Sequence, residues 1–167
     1  MPGKASLAAH QYYAHPRNHF WQIMHRVLDV PSNASYEQRC QGLAENCVAL
    51  WDVVKLCTRT SSLDSDIVES SIVPNDFEAY LRAHPSISTI FFNGAKAEKT
   101  YLRHVQPGLP DRLARIRTVR LPSTSPANAS IPLAVKLERW EVLRSLAATA
   151  PAAAARPARR TPPAGPA

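Results

Sequence analysis

Ile87-Ser88-Thr89-Ile90-Phe91-Phe92-Asn93-Gly94 opens as a strand and closes on a turn. Its first six residues have the length and β-branched content of a strand, and Asn93-Gly94 leads straight into a helix expected over 95–104. Arg117-Thr118-Val119-Arg120-Leu121 reads as a second, weaker strand. The segment is therefore a strand, a helix and a strand. Upstream, Phe20, Ile23, Met24, Val27 and Leu28 fall on one face of a helix that Pro31 ends. Ser32 or Asn33 is placed to cap a further turn, and 36–46 reads as helical or looping. Val48-Ala49-Leu50-Trp51-Asp52-Val53-Val54 suits a strand buried on both faces, with Asp52 inside it or at its C-terminal edge. Pro74 opens a helix over 74–83, with Asp76 and Glu78 in its first turn, and Pro85 stops it. A single amphipathic helix is expected over 131–146, carrying Leu133, Leu137, Trp140, Val142, Leu143 and Leu146. Residues 1–9 read as a loop.

Strands alternating with helices argue for a layered α/β domain, with binding loops at the C-terminal ends of the strands. Only three strands are visible, so the chain reads as beginning one strand late. The 167 residues suit one domain, expected over 1–147. Residues 151–167 hold only Pro, Ala, Arg, Thr and Gly, with no large apolar side chain for a core, so 148–167 is expected to be a disordered tail.

Twenty Lys and Arg against thirteen Asp and Glu give a net charge of +7, which favours a polyanionic partner. Three of these charges, Arg156, Arg159 and Arg160, lie in the tail, so the electrostatic pull of the folded part is weaker than the total. Cys40, Cys47 and Cys57 are odd in number and not closely paired, as expected of buried thiols in a reducing cytosol rather than a disulfide framework. No apolar run approaches the roughly 20 residues of a membrane span. A cytoplasmic, monomeric protein without a membrane partner is expected.

Chemistry concentrates in Gln11-Tyr12-Tyr13-Ala14-His15-Pro16-Arg17-Asn18-His19-Phe20-Trp21, with four aromatics, two histidines, an arginine and an asparagine in eleven residues. Pro16 holds His15 extended and is a natural start to a helical turn, so Asn18 falls at a loop-to-helix junction. Its amide can orient a water or a base edge. Tyr12 or Tyr13 can stack on a planar ligand, and at least one of the two is expected to plug the core. Asp52 is either a brace for the loop after it or an acceptor facing a ligand, since a lone buried acid needs donors. Asn93, at a strand end, is either a turn residue or a site residue. Ser123-Thr124-Ser125-Pro126 offers hydroxyls and amides suited to a phosphate, and is equally an ordinary helix lead-in. Lys96, Lys99 and Arg103 face either DNA or water. His15 and His19 stand four apart without a third ligand, so neither metal nor cofactor is expected.

Met1-Pro2-Gly3, Ser6-Leu7 and Gln11-Tyr12-Tyr13-Ala14-His15-Pro16-Arg17-Asn18 with Phe20-Trp21 resemble the first motif of the uracil-DNA glycosylase superfamily, in the branch of hypoxanthine-DNA glycosylases. Ala49-Leu50-Trp51-Asp52-Val53-Val54, the loop Ser62-Leu63-Asp64-Ser65, Phe91-Phe92-Asn93-Gly94 and Leu121-Pro122-Ser123-Thr124-Ser125-Pro126-Ala127-Asn128 are similar to that branch in the same order. The resemblance implies a three-layer α/β/α sandwich with a short, mostly parallel central sheet whose first strand is missing. It implies an enzyme that flips a deaminated base, hypoxanthine favoured, from double-stranded DNA and hydrolyses its N-glycosidic bond without a cofactor. Asn18 is implied as the catalytic residue, Tyr12, Tyr13, Asp52 and Asn93 as base-binding, and Gly3, Ser123, Thr124 and Ser125 as contacts to the DNA backbone. Other branches carry His or Asn where Ser123 stands. A uracil or mismatch specificity and a catalytically impaired DNA-binding protein are the alternatives.

Overall fold

The structure is a computed structural model that describes residues 2–61 and 66–147. The expected tail, 148–167, and the Ser62-Leu63-Asp64-Ser65 loop lie outside the described residues. In chain order the elements are α1 (Lys4–Ala9), α2 (Phe20–Leu28), α3 (Tyr36–Glu45), β1 (Val54–Leu56), β2 (Val73–Pro74), α4 (Phe77–Ala83), β3 (Thr89–Asn93), α5 (Ala95–His104), α6 (Asp111–Ala114), β4 (Arg117–Leu121), α7 (Leu133–Trp140) and α8 (Val142–Ala147).

The strand, helix and strand expected at the centre are β3, α5 and β4. β3 and β4 pair in parallel from Thr89↔Arg117 to Asn93↔Leu121. Because successive side chains of a strand point to opposite faces, β3 divides its residues between two cores. Phe91 joins Val119 and Leu121 of β4 against Phe20, Ile23, Met24 and Val27 of α2, with Trp140 and Leu143. Ile90 and Phe92 face the other way, against Phe77 and Leu81 of α4 and Tyr101 of α5. Helices on both faces of a parallel pair make the α/β/α layering that the resemblance implies. β4 presents Arg117, Thr118 and Arg120 to solvent, a charged strand surface that discourages pairing with another chain.

Five expectations are corrected. Of the strand expected over 48–54, only Val54 enters β1, whose partner is the antiparallel β2. Residues 48–53 find no ladder partner among the described residues; instead Asn75 holds them, its backbone N–H on Val53 O and its side-chain amide on Asp52 O at 2.7 Å. Trp51 turns outward, 38% exposed, and stacks on Tyr80 at 4.3 Å. Residues 4–9 are helical rather than looping, since Ala, Leu and Lys favour a helix once Gly3 takes the extended N-cap and His10 the left-handed C-cap. The helix over 74–83 starts later, at Phe77, where the Asp76 carboxylate accepts from Ala79 N–H at 2.9 Å. Pro74 instead ends in β2, a place where its missing N–H is tolerated. The helix over 131–146 divides at Glu141, where Arg144 N–H reaches the Glu141 carbonyl in a tightened turn. The cap of α3 is Ser35, in a capping box with Gln38, and not Ser32 or Asn33.

Gly94 is where the sheet meets the site. Its φ of 101° lies in a region open to glycine, and a Cβ added there would stand 2.9 Å from Ser123 Cβ. Gly94→Ala is expected to lower stability by about 2–3 kcal/mol, combining backbone strain with the displacement of Ser123. Chemical denaturation checks this as a lower midpoint at unchanged slope.

Candidate active site

Residues 10–19 bridge α1 and α2 in a fixed loop. His10 and Tyr13 both adopt left-handed backbone, with φ of 51° and 55°. Ser6, nearly buried in α1, takes Ala14 N–H on its hydroxyl at 3.2 Å, and its carbonyl takes Gln11 N–H. Beyond Pro16 the chain turns: Asn18 N–H donates to His15 O at 2.8 Å. The Asn18 side chain then folds onto the mouth of α2, its Oδ1 accepting Phe20 N–H at 3.0 Å. That bond satisfies one orphan donor of the helix and fixes the amide plane. Asn18 Nδ2 has no hydrogen-bond partner among the described residues and remains available to a ligand.

The C-terminal ends of β3 and β4 supply the opposite wall. Thr124, fully buried, is the knot between them. Its N–H donates to Asn93 Oδ1 at 2.9 Å, its Oγ1 accepts from Asn93 Nδ2 at 2.8 Å, and its carbonyl accepts from His19 N–H at 3.0 Å. One asparagine and one threonine thus join β3, the loop after β4 and the start of α2. The rest of that loop is held from α7. Lys136, also fully buried, donates from Nζ to Asn128 O at 2.9 Å, while Asn128 Nδ2 donates to Ser123 O at 3.1 Å and Trp140 Nε1 to Pro122 O at 3.0 Å. Desolvation lowers the Lys136 pKa.

Tyr13 reaches the same knot from the other side. Its ring stacks on Phe20 at 4.0 Å and packs against the core, the plugging role expected for one of the two tyrosines. Burial pushes its phenol up to about 12, with the Asp52 carboxylate adding to the rise and a hydrogen bond to Asn93 opposing it. A phenol that ionises later in the folded state stabilises the protein below pH 10, and that contribution is lost as pH rises from 10 towards about 12. Burial shifts Tyr101 and Tyr80 in the same direction. The share of Tyr13 is therefore the difference between wild type and Tyr13→Phe. Over that window wild type is expected to lose about 2–3 kcal/mol more than the variant, read from denaturation at stepped alkaline pH.

The arrangement gathers Tyr13, Asp52, Asn93 and Thr124 around one end of the β3–β4 pair, with Asn18 one residue before the His19 N–H that bonds Thr124. Thr124 is not a surface contact: it is 0% exposed and its polar groups bond within the protein, so only Ser123 and Ser125 of its triplet are partly exposed. Ser125 Oγ takes Ala127 N–H at 3.2 Å and Ser123 Oγ takes Ser125 N–H at 3.3 Å, an ordered turn. Gly3 has open space where a Cβ would stand, and Arg59 holds the preceding Pro2 carbonyl. On α5, Lys96 is bonded to Glu69, whose carboxyl it holds below the usual range, whereas Lys99 and Arg103 are exposed. Arg120 pairs with Glu98 at 3.1 Å. Among the described residues no cluster of three His, Cys, Asp or Glu can hold a metal, and no helix is long and apolar enough to cross a membrane. Sequence reasoning missed Lys136, whose place three residues after Leu133 and four before Trp140 on the apolar side of α7 was the available signal.

The family model described as the uracil DNA glycosylase superfamily matches residues 1–144, the whole of this arrangement. The chain belongs to that superfamily. Two relatives, both named hypoxanthine DNA glycosylase, place it within the superfamily's branch of that name. The protein of Methanosarcina barkeri is 34% identical over 99 residues, covering 58% of this chain and 61% of its own length. That of Methanosarcina acetivorans is 35% identical over 129 residues, covering 77% of this chain and 76% of its own. The residues matched to the uracil DNA glycosylase superfamily include the loop between α1 and α2 and the loop after β4, which Thr124 joins.

Proposed function

We propose that this chain is a monofunctional DNA glycosylase that removes deaminated bases, hypoxanthine first, from double-stranded DNA and leaves an abasic site. The observation that carries the reading is the Asn18 amide, pinned through Oδ1 to the head of α2 with Nδ2 unbonded, one residue before His19, whose N–H bonds the Thr124 carbonyl of the wall built with Asn93. The names of the two relatives support the choice of base.

The glycosidic carbon and the base edge are inaccessible in a stacked duplex, so the nucleotide is turned out, at least cost for a mispaired base. Tyr12 stacks on the purine, a contact worth about 1–3 kcal/mol. Asp52 accepts the purine N1–H, with Tyr13 and Asn93 as the wall behind it. Water adds through oxygen to C1′ while the C1′–N9 bond breaks and its electrons leave with the purine; the water proton passes to solvent and the purine takes a proton back. The amide of Asn18 does not titrate near neutrality, so it acts by orienting the water against a sugar of oxocarbenium character, and not as a base. Gly3, Ser123 and Ser125 contact the phosphates flanking the turned-out nucleotide.

Duplexes carrying inosine, uracil or xanthine, incubated with the protein and then treated with alkali, test this. Strand cleavage at inosine above uracil is the expected result. Cleavage at uracil above inosine reassigns the base, and binding without an abasic product overturns the enzymatic reading.

A further inference from the structure

Tyr12 is held in an unusual way for a loop residue. Its N–H donates to the hydroxyl of Tyr36 at 3.0 Å, twenty-four residues away, and its carbonyl accepts from the indole N–H of Trp21 at 3.1 Å. Both polar groups of one peptide residue are thus taken by aromatic side chains from two different helices, α3 and α2. The two rings meet edge to face at 5.9 Å and 89°, an arrangement that adds about 0.5–1.5 kcal/mol beyond area burial. The guanidinium of Arg39 lies 4.7 Å above the Trp21 ring and 6.0 Å from that of Tyr36. Tyr36 is 8% exposed and is the first residue of α3, where the Ser35–Gln38 capping box fixes the turn.

The residue after this clamp, Tyr13, is left-handed at φ 55°, a conformation costly for a bulky side chain and kept only where neighbours impose it. The left-handed step separates the two tyrosines, whose ring centroids stand 6.3 Å apart at 41°. Tyr13 enters the core beside Phe20 and Tyr12 does not join it.

We infer that Tyr36 and Trp21 are positioning residues for base recognition: they clamp the Tyr12 main chain so that its ring is set in place before a turned-out base arrives. The inference rests on the glycosylase reading above. Preorganisation of this kind improves binding because the ring need not be ordered by the ligand. Tyr36→Phe keeps the ring and its packing while deleting the acceptor for Tyr12 N–H.

The test compares binding of two duplexes by wild type and Tyr36→Phe, at matched folded fraction. One carries a non-hydrolysable 2′-fluoro deoxyinosine, and the other a tetrahydrofuran abasic analogue that has no base to stack. The expected result is a loss of about five- to tenfold in affinity for the inosine duplex, with affinity for the abasic duplex unchanged. A general loosening would weaken both equally and overturn the inference. So would unchanged affinity for both, or a Trp21→Phe variant that retains the wild-type affinity for the inosine duplex. A wild-type protein that leaves no alkali-labile site at inosine overturns the glycosylase reading itself, whatever the two affinities, and the clamp then has no base to position.

Discussion

Asn18→Ala is expected to lower single-turnover excision of hypoxanthine by about 10²- to 10³-fold, the range for removing one preorganised polar group aimed at a developing charge. Asn18 also has a structural task, because its Oδ1 accepts Phe20 N–H at the start of α2. Losing a bond of that kind costs about 1 kcal/mol and leaves most molecules folded. The two contributions separate in Asn18→Ser, since a serine hydroxyl accepts the same N–H but carries no amide to hold a water. Stability is expected to recover in the serine variant while excision stays low. Excision that recovers along with stability would make Asn18 a helix cap and nothing more.

Asn93→Ala is expected to have the largest effect on folding, a loss of about 3 kcal/mol, or about 6–12 °C in Tm for a chain of this size. The amide of Asn93 gives Thr124 both an acceptor for its N–H and a donor to its hydroxyl, and it bonds the Tyr13 phenol as well. Because Thr124 is completely buried, water cannot replace those partners, and each orphaned group costs about 1–3 kcal/mol. Thr124→Val removes only the hydroxyl and keeps the volume and the N–H, so its cost is expected near 1 kcal/mol. Calorimetry of the two variants should rank alanine at 93 well below valine at 124. Equal losses would mean that the backbone bond from Thr124 contributes little and that the wall does not depend on Asn93.

These two residues also mark what could be read in the sequence. The helices α2 and α5 and the strand β4 fall where periodicity placed them, because each has a full apolar face or a clear turn signal at its end. The junction at Asn18 followed from Pro16 alone. The apolar run 48–54 misled, since hydrophobicity says that residues are covered but not that a partner strand lies beside them; here a lysine-bearing β1 pairs only from Val54 onward. The split at Glu141 was hidden because α7 and α8 share one apolar periodicity through the tightened turn. Thr124 read as a surface hydroxyl because Ser and Thr before a helix usually are exposed, and only the third dimension brings Asn93 and His19 to it. Tyr36 lies twenty-four residues from the peptide it holds, a distance no local pattern spans.

The central claim is that the loop between α1 and α2, Asp52 and the ends of β3 and β4 form one chamber around a turned-out purine, with the Asn18 amide on the sugar side. A crystal structure of the protein on a duplex with a 2′-fluoro deoxyinosine tests it most directly. The purine is expected on the Tyr12 ring with its N1 towards Asp52, and a water held by Asn18 Nδ2 or Oδ1 within about 3–3.5 Å of C1′. A purine still in the stack, or an Asn18 amide on the far side of the base from the sugar, would contradict the account.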